Sequence, residues 1–274
     1  MILNVVKADL VQVDNFNKYY DIGVNLFCKQ FPNPEQIIND ALQSGVTCIL
    51  IGTDPKENRQ IDTFINNHQA YGTVGIHPHN ADSTRDKDYL EIENIAKTNN
   101  KIMAIGECGL DFDRMFSTKE NQIKCFEKQI EIAETLNMPL FLHERNAVED
   151  FIKVLSNHKE ICKKSIVHCF TGNAETLKKY LSMGCYIGIT GWICDSRRAK
   201  DLRQAVRYIP LDRIMIETDS PFLTPKNIQG LSKTNCPQNV KYVAKELAIH
   251  MGVPENTLIS KAKENTEHFF SIHL

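Results

Sequence analysis

No stretch of the 274-residue chain approaches the roughly 18 consecutive apolar residues of a membrane span. The first ten residues lack a basic region followed by a sustained apolar one. Cys-x-x-Cys spacing is missing as well. The nine cysteines, an odd number, are scattered from Cys28 to Cys236, which argues against a zinc ribbon or a disulfide framework. A reducing, cytoplasmic setting with no membrane association is expected. An excess of one charge is also lacking: 32 Lys+Arg oppose 34 Asp+Glu, so a globally basic nucleic-acid binder is excluded. With only 13 Gly and 10 Pro, collagen-like repeats and wholesale disorder are excluded too. Gly-x-Gly phosphate loops, Walker motifs and Gly-x-Ser-x-Gly elbows do not occur, and Cys108 and Cys169 read as small packing residues, so catalysis by a protein nucleophile is disfavoured.

What is present is a succession of eight short β-rich runs, at 20–26, 46–52, 72–76, 102–106, 138–142, 165–168, 185–189 and 214–217. Most are apolar on both faces, as a sheet covered by helices requires, and the gaps between them leave room for a helix. Eight parallel strands predict an α/β TIM barrel, (β/α)8, in a single domain over residues 20–274, preceded by an extension or edge element over residues 1–19. The helices are punctuated by mechanism: Asn33-Pro34 offers a cap and a first-turn proline, and Gly45 a left-handed stop. Ser117-Thr118-Lys119-Glu120 has capping-box spacing before Ile123, Phe126, Ile130 and Ala133, which share one helical face. Pro237 is expected to open a helix running to about His250 with Gly252 as its stop, and a last helix follows from Pro254 to Phe270.

Acids, histidines and an amide fall where the chain leaves these runs, the face that carries the active site in such barrels. Asn25 follows the first run, His77 and His79 the third, Glu107 the fourth, His143 the fifth, His168 the sixth and Asp219 the eighth. Any one of these histidines alone reads as an ordinary packed residue. As a set at one end of six strands, they point to a divalent-metal site.

The segments Asp21 to Leu26 (DIGVNL), Gly75 to His79 (GIHPH), Ile105 to Asp111 (IGECGLD), His168 to Gly172 (HCFTG) and Ile216 to Pro221 (IETDSP) resemble the TatD family of metal-dependent deoxyribonucleases, from about Asp21 to the C-terminus. The resemblance implies an amidohydrolase-like TIM barrel and metal-dependent hydrolysis of DNA phosphodiester bonds, with 3′–5′ exonuclease action expected. It implies Glu107 as the bridging glutamate, His143 and His168 as ligands of one metal, Asp219 as the aspartate of the other, and His77 and His79 near the substrate. Two departures stand out: Gly23 and Asn25 occupy places where many members carry two histidines, and Cys236 stands where a glutamate is usual.

An amide in place of two imidazoles leaves Glu107, Asp219 and Asn25 as an oxygen-rich half-site, which suits Mg²⁺, the metal expected. The Glu107/His143/His168 half has two nitrogen ligands and could take Mn²⁺ or Zn²⁺. Asp219 and Glu107 are the expected catalytic acids. The partner expected is DNA, single-stranded or at 3′ ends, bound by a monomer. Arg197 and Arg198, in a basic window after the seventh run, are read as phosphate contacts and Trp192 as a base-stacking residue. Two rival readings are an amidohydrolase acting on a small cyclic amide or ester, and a non-catalytic nucleic-acid-binding barrel. A bridging Lys after the fourth run would favour the first, but Glu107 stands there.

Overall fold

The computed structural model describes residues 18–272. Eight parallel strands form one sheet in sequence order: β1 (Tyr19–Val24), β2 (Val46–Leu50), β3 (Tyr71–Val74), β4 (Ile102–Asp111), β5 (Leu140–Arg145), β6 (Ser165–Val167), β7 (Tyr186–Ile189) and β8 (Ile214–Ile216). Closure comes from the chain just beyond β8. Val24 bridges Ser220, Asn25 N donates to Ser220 O at 2.8 Å, and the buried Asp21 carboxylate accepts from Thr218 N at 2.8 Å. The result is the single TIM barrel expected. Of the extension expected over 1–19, residues 1–17 lie outside the described residues, and Tyr19 already belongs to β1.

The core has two layers. Tyr20, Ile22, Ile49, Phe141, Ile166 and Met215 belong to a cluster that draws side chains from strands all around the sheet, so it fills the barrel interior. Phe269, at the end of the last helix (Glu255–Phe269), packs on Tyr186 with ring centroids 4.9 Å apart and so plugs the end where the strands begin. A larger cluster lies between the strands and the outer helices. Cap chemistry acts as the sequence implies at α1 (Pro34–Gln43), where Asn33 accepts from Gln36 N. It does so again at the helix Val240–Met251, which follows a tight turn opened by Pro237 and stops at Gly252 in the left-handed conformation. At α2 (Lys119–Leu136) the cap is Thr118, while Ser117 is buried and bonds to the His79 carbonyl.

β4 and β5 run further than their apolar patterns predict, pairing through Gly109↔His143 and Asp111↔Arg145. Glu107 and His143 therefore sit within strands, held by a ladder rather than on loops. Gly106 and Gly109, with φ of 142° and 140°, make this possible. A Cβ on Gly109 would lie 1.9 Å from the His143 carbonyl oxygen. Gly109→Ala is expected to cost about 1–3 kcal/mol for the conformation alone, and more for the collision. A lower urea midpoint at unchanged m-value checks this.

Candidate metal centre and nucleic-acid cleft

At the opposite end from the plug, the strand ends enclose a cleft of about 800 Å³. Its lining includes Asn25, His77, His79, Glu107, His143, His168, Trp192 and Asp219, so eight of the ten residues read from the sequence meet there. Glu107 is at the centre. One oxygen, Oε1, lies 2.8 Å from His143 Nδ1, 2.7 Å from His168 Nε2 and 3.5 Å from His77 Nε2. Burial alone would raise this carboxyl, yet the charge of His168 and the hydrogen bonds from His143 and His168 hold it well below the usual carboxylate range. Reciprocally, Glu107 and Glu217 push the His168 imidazole well above its ordinary value against the effect of burial. Burial pushes His77 down to about 3, which leaves a neutral ring with a lone pair to give.

The ligand atoms of His77, Glu107 and His143 lie within 4.8 Å of one another. Two ring nitrogens and a carboxylate oxygen are a donor set that fits a divalent cation. His77, expected beside the substrate, thus stands among the candidate ligands. Asp219 and Asn25 form a second polar pair on the β1/β8 side, with Asn25 Nδ2 donating to Asp219 Oδ1 at 2.8 Å. Burial pushes the Asp219 carboxyl up to about 7.

Two acids in the quoted motifs that carry no role in the sequence reading, Asp111 and Glu217, each hold a histidine, while a third, Asp21, closes the barrel on Thr218. Asp111 Oδ2 lies 2.8 Å from His79 Nε2 and 3.3 Å from His143 Nε2. Glu217 lies 3.3 Å from His168 Nδ1 and accepts from Cys169 N at 2.6 Å. The Glu217 carboxylate fills a space that two glycines leave open: a Cβ on Gly23 would lie 2.3 Å from one oxygen, and a Cβ on Gly188 2.4 Å from the other. A histidine at position 23 would therefore have to displace the Glu217 carboxylate. The signal for both acids was available, since a carboxylate inside an apolar run is buried only with a partner. In Glu217→Gln, one amide group would face His168 Nδ1–H with another donor. Metal affinity, measured by competition with a chelating dye, is expected to fall 10- to 100-fold, and Tm to fall with the buried donor left unpaired.

Arg197 and Arg198 do not join the cleft. Both are hydrogen-bonded to Asp195, and the Arg198 guanidinium lies 4.1 Å from the Trp192 ring centroid. Arg114 and Arg145, at the ends of β4 and β5, line the cleft instead. Because Asp195 already neutralises one of the two charges, changing both Arg197 and Arg198 to Ala is expected to shift the salt slope of oligonucleotide binding by less than about one.

A family model described as TatD related DNase matches residues 20–271. The chain belongs to the TatD-related DNase family. Among its relatives, the 3′-5′ ssDNA/RNA exonuclease TatD of Yersinia pseudotuberculosis is 39% identical over 259 residues, covering 92% of this chain and 99% of the relative. The protein of the same name from Pectobacterium carotovorum gives the same figures. Among solved structures, the TatD homologue YJJV of Escherichia coli superposes with a TM-score of 0.85 at 24% identity, over 93% of this chain and 99% of that one. A TatD-family hydrolase of Entamoeba histolytica gives 0.81 at 23% identity, over 93% and 98%. These two likenesses establish the TatD-family chain's barrel fold.

Proposed function

We propose that this TatD-family chain is a divalent-metal-dependent exonuclease that removes nucleotides from the 3′ end of single-stranded DNA or RNA in the cytoplasm. The observation that carries the reading is the convergence of three imidazoles on one Glu107 oxygen in an open polar cleft. Relatives 39% identical over nearly their whole length carry the name of that activity. Among the described residues no helix is long and apolar enough to cross a membrane. Glu107, His77, His143 and His168 would hold one cation, and Asp219 with Glu107 and Asn25 a second, Mg²⁺ being preferred on the oxygen-rich side and Mn²⁺ or Zn²⁺ on the imidazole side. A bound divalent ion supplies charge for the phosphoryl oxygens and makes water more acidic.

The chain's own groups do the rest. Asn25 fixes the Asp219 carboxylate, which is placed to accept a proton from the attacking water. Asp111 accepts from His79 Nε2 and so fixes the orientation of that ring in the cleft wall. The test uses a 5′-labelled single-stranded oligonucleotide with added Mg²⁺. Progressive shortening from the 3′ end, blocked by a chelator or by a 3′-terminal phosphorothioate, is the expected result. Internal cuts, or hydrolysis indifferent to chelation, would contradict the reading.

A further inference from the structure

The turn from Asp111 to Ser117 is held more firmly than a surface loop requires. Gln122, buried on α2, accepts from Asp111 N at 2.8 Å and donates to the carbonyls of Asp111 at 3.0 Å and Ser117 at 2.9 Å. Asp111 Oδ1 accepts from the backbone N–H groups of Asp113 and Arg114 at 3.0 and 2.9 Å. Ser117 Oγ donates to the His79 carbonyl at 2.9 Å and accepts from Asp82 N at 3.0 Å. This buried frame presents four side chains outward: Asp113, Arg114, Met115 and Phe116.

Phe116 is 64% exposed, a placement that gives up most of the burial a phenyl ring contributes to folding. It is not remote from the chemistry. Its ring lies edge-to-face with His79 at 4.8 Å, His79 lies 4.2 Å from the His77 ring, and His77 Nε2 is 3.5 Å from Glu107 Oε1. Two imidazole rings therefore separate it from the candidate metal ligand. Beside it, Arg114 lines the cleft, and its guanidinium has no hydrogen-bond or ion-pair partner among the described residues. Arg145, by contrast, is paired with Asp113 at 2.8 Å.

We propose that Phe116 is a stacking platform for a nucleobase of single-stranded nucleic acid, and that Arg114 contacts the adjoining phosphate. The inference rests on the nuclease reading and names which part of the substrate is recognised. An aromatic face is open to any unpaired base, whereas the bases of a duplex have theirs covered by neighbours, so the platform favours single strands without reading sequence. The unpaired arginine brings the charge that a backbone phosphate complements, and the rigid turn limits the ordering cost of binding.

The test compares a labelled single-stranded oligonucleotide with one carrying abasic sites at its three 3′-terminal nucleotides. Kd by fluorescence anisotropy and KM for hydrolysis are measured for wild type, Phe116→Ala and Phe116→Trp. In wild type the abasic substrate is expected to bind roughly 5- to 100-fold more weakly. Phe116→Ala should weaken the normal oligonucleotide by a similar factor and lose most of the abasic penalty, while Phe116→Trp keeps both at wild-type level. Because the side chain is exposed, Tm should not change. Arg114→Ala should reduce the salt slope by about 0.7, the value for one phosphate on a single strand. A full abasic penalty in Phe116→Ala, or a Kd within twofold of wild type, would overturn the platform while leaving the nuclease reading intact. A wild type that binds but does not cut would overturn the nuclease reading, with the Kd comparison still deciding the platform. One that binds neither oligonucleotide would overturn both.

Discussion

Replacing Glu107 by glutamine is expected to lower hydrolysis of single-stranded oligonucleotides by at least about 100-fold, beyond the 10- to 100-fold typical of losing an outer-shell partner. The loss should exceed that of His143→Ala or His168→Ala. Each of those removes one imidazole from a set of three around the same oxygen, whereas Glu107→Gln removes the negative charge that all three face. Glutamine matches the volume and leaves the β4/β5 ladder untouched, so the fold should persist. Turnover equal to wild type at saturating Mg²⁺, with far-UV circular dichroism as a check on folding, would remove Glu107 from the centre of the site.

Chelation is expected to take hydrolysis down to the uncatalysed background with little change in Tm. The barrel interior is packed by apolar side chains from around the sheet and plugged at the far end by Phe269, so its stability does not depend on the metal. Millimolar-range Mg²⁺ or less Mn²⁺ should restore activity, and Zn²⁺ should restore it poorly, because Asp219 and Asn25 offer the second ion oxygen rather than nitrogen. Supplying an imidazole by Asn25→His should move the preference toward Mn²⁺ or Zn²⁺. Gly23→His should do the reverse of what the donor count alone suggests: its Cβ would enter the space of Glu217, displace that carboxylate and loosen His168. Full activity in chelator-treated protein, or two tightly held zinc ions giving the highest rate, would contradict the assignment.

The barrel was legible because its strands are buried on both faces and so appear as apolar runs, with helix stops at Gly45 and Gly252 where a left-handed residue is needed. The site was legible to the extent that its residues lie just past those runs. What stayed hidden depends on geometry between strands distant in sequence. His77 read as a substrate contact because nothing local shows that its ring comes within 3.5 Å of Glu107 Oε1. The roles of Asp111 and Glu217 follow from which histidine each meets across the barrel mouth, at separations of 32 and 49 residues. The setting of the arginine pair after β7 stayed hidden for a related reason. A run of basic residues says nothing of the buried Asp195 that takes up two of them, and the two arginines that do line the cleft are isolated in sequence. The extension of β4 past Gly106 also escaped the pattern, since Gly106 and Gly109 are strand-weakening residues kept here for their positive φ.

The measurement that tests the account most directly is an anomalous-difference map from crystals soaked in Mn²⁺. A peak is expected in the cleft within coordination distance of a Glu107 oxygen and of ring nitrogens from His77, His143 or His168, with any second ion against Asp219. Peaks confined to other parts of the molecule, in crystals whose dissolved protein still shortens single-stranded DNA in Mn²⁺, would contradict it.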